Sequence, residues 1–129
     1  MTSVPPAAPP TEEHVHDLVV RFYALARADD RLGPLFEAAI EDWDGHIRIV
    51  QDFWSHHLLG SMRYQGSPFP IHLGLKVDDD HFDRWLAAFR TAAAETLPAN
   101  AAEIAMGRAE HMTKSFRMGL VPWTPPASK

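Results

Sequence analysis

The stretch that decides the fold reads Tyr64-Gln65-Gly66-Ser67-Pro68-Phe69-Pro70-Ile71-His72-Leu73-Gly74-Leu75. Its two prolines and two glycines exclude one regular helix, because proline lacks the backbone donor a helix interior needs and glycine loosens the chain. It still delivers one imidazole, His72, between Ile71 and Leu73. An imidazole is costly to bury without a partner. Two partners suit it: a backbone carbonyl in an ordinary core, or a metal held in an apolar pocket.

The sequence on both sides is helical in pattern. Upstream, Thr11 is an N-cap candidate, with Glu12 and Glu13 in the first turn where the helix dipole favours acids. Val15, Leu18, Val19, Phe22, Leu25 and Ala26 follow at helical spacing, with Tyr23 beside the stripe. Asp29-Asp30 and Gly33-Pro34 are expected to break this helix before a short apolar piece from Leu35-Phe36 to Ile40. Asp42 caps the next helix, whose face carries Trp43, His46, Ile47, Val50, Phe53, Trp54, His57 and Leu58 up to a stop near Gly60.

Downstream of the organising stretch, Asp78-Asp79-Asp80 open a helix with the stripe Phe82, Trp85, Leu86, Phe89 and Ala93, ended by Thr96-Leu97-Pro98. Asn100 and Glu103 are spaced as a capping box. The last helix is expected to use Ile104, Arg108, His111, Met112, Ser115 and Phe116 and to end near Gly119. No hairpin signal or internal repeat is visible. The expected class is all-α, with four main helices and two short ones. Residues 1–10 and 121–129 read as Pro-rich tails around one domain at 11–120.

Composition narrows the function. The 129 residues are 46% hydrophobic, enough for one real core. A net charge of −5 without a Lys/Arg cluster argues against nucleic acid. There is no cysteine, which removes disulfides and thiolate chemistry and fits a reducing, cytoplasmic setting. No apolar run nears the ~20 residues of a membrane span, and the N-terminus lacks the basic start and apolar core of a secretory signal.

Eight histidines are many for this length. His56-His57 and His14-x-His16 diverge on a helix and chelate poorly. A di-iron carboxylate bundle needs two Glu-x-x-His units, and Glu13-x-x-His16 is the sole one in the sequence. No phosphate loop or nucleophile elbow is present. A haem pocket fits better. It needs one neutral imidazole, apolar walls and polar groups near the open coordination position. His72 supplies the first. Phe36, Val50, Phe53, Trp54 and Phe82 are wall candidates. Tyr23, His46 and Trp85 each place a donor on an otherwise apolar face.

Together these residues resemble the truncated haemoglobins of the third group. The likeness rests on Phe22-Tyr23, Leu32-Gly33-Pro34-Leu35-Phe36, Trp43-x-x-His46 with Phe53-Trp54, Tyr64-x-Gly66-x-Pro68-x-x-x-His72-x-x-Leu75, and His81-Phe82-x-x-Trp85-Leu86-x-x-Phe89. It covers roughly residues 11–120. The absence of any Gly-Gly pair also suits that group.

The resemblance implies a globin-like two-over-two helical sandwich, haem b with His72 as the proximal iron ligand, and a distal side of Tyr23, His46 and Trp85. Tyr23 and Trp85 would hydrogen-bond the ligand and His46 would act as a gate. Phe36, Val50, Phe53, Trp54, Tyr64 and Phe82 would pack the porphyrin, with Arg48, Arg63, Lys76 and His57 as candidate propionate partners. The implied partners are diatomic gases (O2, NO and CO) and an unidentified electron donor, in a monomer or weak dimer. The implied activity is gas binding, with room for peroxidase-like or NO-detoxifying chemistry. The alternative from another class is a cofactor-free helical interaction module whose histidines are structural.

Overall fold

A computed structural model describes residues 9–64 and 77–120, with the side chains of 119 and 120 left aside. Five helices run in order: α1 Glu12–Ala28, α2 Leu32–Ala39, α3 Trp43–Leu59, α4 Asp79–Thr96 and α5 Ala99–Leu120. No strand occurs among the described residues, and none of the described helices is long and apolar enough to cross a membrane. The organising stretch from Gln65 to Leu75, with His72 in it, lies outside the described residues, as do Lys76 and most of both tails.

Local chemistry sets the helix ends. Thr11 accepts from the backbone N–H of His14, whose side chain accepts in return from the Thr11 N–H. Asp78 and His81 make the same reciprocal box at the start of α4. These satisfy donors that a helix start otherwise leaves unpaired. Asp42 caps α3 through the Gly45 N–H. Gly60 ends α3 in the left-handed region at φ 78°, where glycine is favoured.

Two boundaries differ from the sequence reading. Gly33-Pro34 does not break a helix; both lie in the first turn of α2. A proline there loses nothing, since first-turn N–H groups have no intrahelical acceptor. The break is made by Asp29, whose carboxylate accepts from the N–H groups of Arg31 and Leu32. The Asn100–Glu103 box does not form either. Helix α5 begins at Ala99, and the Pro98 carbonyl takes the first helical bond, from Ala102. Asn100 therefore sits inside the first turn instead of capping it.

The helices pack as two layers, α1 with α3 and α4 with α5, in a two-over-two sandwich. The broadest contact runs between α1 and α4. Leu18, Val19, Phe22 and Ala26 meet Phe89, Ala92 and Ala93 there, all essentially buried. On α5 the buried line is Ala101, Ala105 and Ala109, continued by Thr113 and Phe116. Ile104 is 59% exposed, and Arg108 and His111 also face solvent, so the expected stripe is rotated. Alanine is a weak hydrophobic signal in a sequence, yet its small side chain lets two helix backbones approach. A short α2 folds against α1, and Gly33 makes that contact: a Cβ on it would lie 2.6 Å from the Arg27 carbonyl oxygen.

Candidate functional site

Between the layers lies an apolar cavity to which every helix contributes. Helix α1 supplies Tyr23, α2 supplies Phe36, and α3 supplies His46, Val50, Phe53 and Trp54. Helix α4 supplies Phe82 and Trp85. Tyr64 lines it from the segment after α3, and Val77 from the segment before α4. All nine described residues that the sequence singled out for a pocket thus share one cavity. Spacing explains the α3 contribution: His46, Val50, Phe53 and Trp54 are separated by steps of four, three and one, and so recur on one helix face.

The polar groups inside are few and specific. The Tyr23 hydroxyl lies 2.8 Å from Nε2 of His46. Tyr23 is 7% exposed, and this burial pushes its phenol well above the ordinary range, since an anion is disfavoured in an apolar setting. It stays a neutral donor. The two rings meet edge to face, 5.3 Å apart. Tyr23 also packs edge-on against Phe36 and Trp43, and Trp43 is covered by the Arg27 guanidinium at 4.1 Å. Trp85 stacks parallel on Phe89 at 5.3 Å, and Phe89 stacks in turn on Trp54. These contacts hold the Trp85 indole and the Tyr23 phenol in fixed positions on different helices.

The cavity has more walls than the sequence suggested. Leu32, Leu35 and Ile49 line it, as do His81, Met112, Thr113 and Phe116. Ile49 was legible in principle, three residues after His46. Met112 and Phe116 were placed on the α5 stripe without being linked to the pocket. His81 carried no assigned role; its Nδ1 is engaged by the Asp78 N–H at 3.0 Å.

The candidate propionate partners scatter. Arg63 is held by Glu12 and Asp52, His57 lines a different groove, Arg48 is exposed, and Lys76 lies outside the described residues. His16, from the dismissed di-iron unit, bonds Gln51 instead.

A largely apolar, aromatic-walled cavity with Tyr23, His46 and Trp85 among its few polar groups suits a flat apolar cofactor with a small polar ligand beside it. The fit to a haem is chemical: aromatic faces for the macrocycle and neutral donors for a bound gas.

Residues 11–118 match the family described as bacterial-like globin. The chain is a bacterial-like globin. This globin is 36% identical over 83 residues to the group 3 truncated hemoglobin ctb of Campylobacter jejuni. That match covers 60% of the globin and 65% of its relative, so just under two thirds of the relative's length is spanned. The crystal structure of a group III truncated hemoglobin from Campylobacter jejuni superposes with a TM-score of 0.81 at 28% identity, covering 89% of this globin and 94% of that chain. A thermostable hemoglobin from the actinobacterium Thermobifida fusca gives 0.73 at 25% identity, over 87% and 93%. The globin family binds haem and takes small ligands at it, so the cofactor class and the general function follow from membership. The Campylobacter jejuni and Thermobifida fusca relatives are haemoglobins by name.

Proposed function

We propose that this globin holds haem b through the imidazole of His72 and binds O2, NO and CO in contact with Tyr23, His46 and Trp85. One observation carries the reading: Tyr23, His46 and Trp85, from three helices, converge in one largely apolar cavity. The residues that flank the His72 stretch support it, since Tyr64 and Val77 both line that cavity. Phe36, Val50, Phe53, Trp54, Tyr64 and Phe82 are the walls that pack the macrocycle.

Haem, when bound, supplies reversible coordination of a diatomic gas. The chain's residues do the rest. The apolar walls exclude water. Tyr23 and Trp85 donate to a partly anionic ligand, and such charge-assisted bonds contribute ~1.5–3 kcal/mol each. Two of them slow ligand release by ~10²-fold or more. Slow release suits retention, and peroxidase-like or NO-consuming turnover, better than carriage. His46 bonds Tyr23 and thereby tunes how freely that hydroxyl reaches the ligand. Such turnover would draw on an electron donor outside the chain.

The test is His72→Ala. The parent protein should carry one haem per chain with a Soret band. The variant should lose haem on purification and regain it with added imidazole. A variant that keeps a normal five-coordinate ferrous spectrum means another side chain is the ligand.

A further inference from the structure

A second concavity lies between the C-terminal half of α3 and the middle of α5, lined by His57 and Leu58 on one side and Glu103, Gly107, Arg108 and His111 on the other. It is distinct from the gas cavity. Two aromatic rings link the two: Phe53 and Trp54 both line the cavity and pack on His57, ring centroids 4.4 and 6.3 Å away.

Two features are unexplained by folding. Seven of the nine described arginines are ion-paired: Arg21, Arg27, Arg31, Arg63, Arg84, Arg90 and Arg117. Arg48 and Arg108 form no ion pair among the described residues, and Arg108 lines this groove. In a chain of net charge −5, a guanidinium outside any ion pair and beside two imidazoles stands out. The second feature is Gly107, in the middle of the 22-residue α5. Glycine inside a helix costs stability relative to alanine. No contact demands it, because a Cβ built there meets nothing within 4 Å. What its missing side chain preserves is the depth of this groove.

We propose that the groove between α3 and α5 is a binding site for a small oxyanion, held by Arg108 with His57 and His111 and given room by Gly107. The guanidinium presents the planar fork that matches carboxylate or phosphate oxygens. His57 and His111 add N–H donors from two helices. Burial, together with the charges of Arg108 and His56, holds the His57 imidazole below its ordinary range, so the Arg108 charge reaches it. Glu103 lies a turn and more toward the start of α5 and repels an anion from that end, which places the oxyanion nearer Arg108 and His111.

The test uses the full-length haem-loaded protein in its CO form, titrated with sodium phosphate at constant ionic strength. The imidazole resonances of His57 and His111 are followed by NMR. Matched titrations with sodium acetate and sodium chloride separate a phosphate site, a carboxylate site and simple screening. Saturable shifts with phosphate or acetate, and none with chloride, are expected. Arg108→Gln should weaken binding about tenfold or more, as loss of a charge-assisted contact requires. Glu103→Gln should tighten it. Gly107→Ala should weaken binding while raising the melting temperature, a pairing that a merely structural glycine does not give. Linear shifts, equal response to chloride, or unchanged affinity in Arg108→Gln or Gly107→Ala would overturn the site. None of these outcomes depends on which residue ligates the haem.

Discussion

The phenol of Tyr23 on α1 and the imidazole of His46 on α3 share one hydrogen bond, 2.8 Å long, inside the cavity. Burial keeps the phenol protonated, and a phenol is the better donor of the two groups, so Nε2 of His46 is assigned as the acceptor. A gas ligand that needs the Tyr23 proton must therefore compete with His46 for it.

That competition predicts opposite effects from the two partners. On the proposed distal role, Tyr23→Phe removes a donor worth ~1.5–3 kcal/mol to the ligand complex, partly offset by the His46 bond lost with it, and should speed O2 release about tenfold. His46→Leu leaves the Tyr23 proton undivided and should slow release. Stopped-flow displacement of O2 measures both. An unchanged rate in Tyr23→Phe removes Tyr23 from the ligand's surroundings. A faster rate in His46→Leu makes His46 itself the donor.

Gly33 predicts how α2 reaches the cavity. A Cβ at this position would lie 2.6 Å from the Arg27 carbonyl oxygen, and backbone cannot step aside as a flexible side chain can. Gly33→Ala should destabilise the fold by about 1–3 kcal/mol, the usual cost of overpacking. It should also displace Leu35 and Phe36, which line the cavity from the same helix. Chemical denaturation gives the first effect, and the CO stretching frequency of the haem-loaded variant reports the second. Wild-type stability would show that the α1–α2 corner relaxes freely.

Helix α5 separates what the sequence shows from what it hides. Large apolar residues drew the expected stripe through Ile104, yet Ile104 is 59% exposed and Ala105 is fully buried. Ala105→Leu should therefore cost about 1–3 kcal/mol, the usual penalty of forcing a larger side chain into a fully buried position. Ile104→Ala should shift stability by less than about 0.5 kcal/mol, as exposed substitutions do. Paired urea unfolding curves decide, and the reverse ranking would return the stripe to its expected face.

The same contrast runs through the whole chain. Aromatic residues and histidines on apolar faces stood out, and Tyr23, His46, Phe53, Trp54 and Trp85 were legible as a pocket because they recur together on three helical stripes, although each alone reads as plain core. Caps at Thr11, Asp42 and Asp78 were legible because the donors they satisfy are local. Leu32, Leu35 and Ile49 were not, since an aliphatic wall looks like any core residue until the helices are packed. The start of α2 was misread because Pro34 marks either a break or a first turn, and the choice is made by Asp29, five residues earlier.

Asp29 also makes a prediction in pH. Burial pushes its carboxyl upward, but the N–H groups of Leu32 and Arg31 and the Arg84 guanidinium outweigh this, so the net shift is downward. A carboxyl with a depressed folded pKa adds stability that is complete above its unfolded value, ~3.9, and is lost as the pH falls through the folded value. Asn in its place keeps one acceptor for the α2 N–H groups but loses the charge that Arg84 meets. Asp29→Asn should therefore cost about 1–2 kcal/mol at pH 7, in the range of a lost helix cap. Its deficit should shrink as the pH drops below ~4 and vanish once the native carboxyl is protonated. Melting temperatures of both proteins between pH 7 and pH 2 trace the difference. A deficit that persists unchanged at the acid end would assign the role of Asp29 to shape alone, with Arg84 held by Asp80 instead.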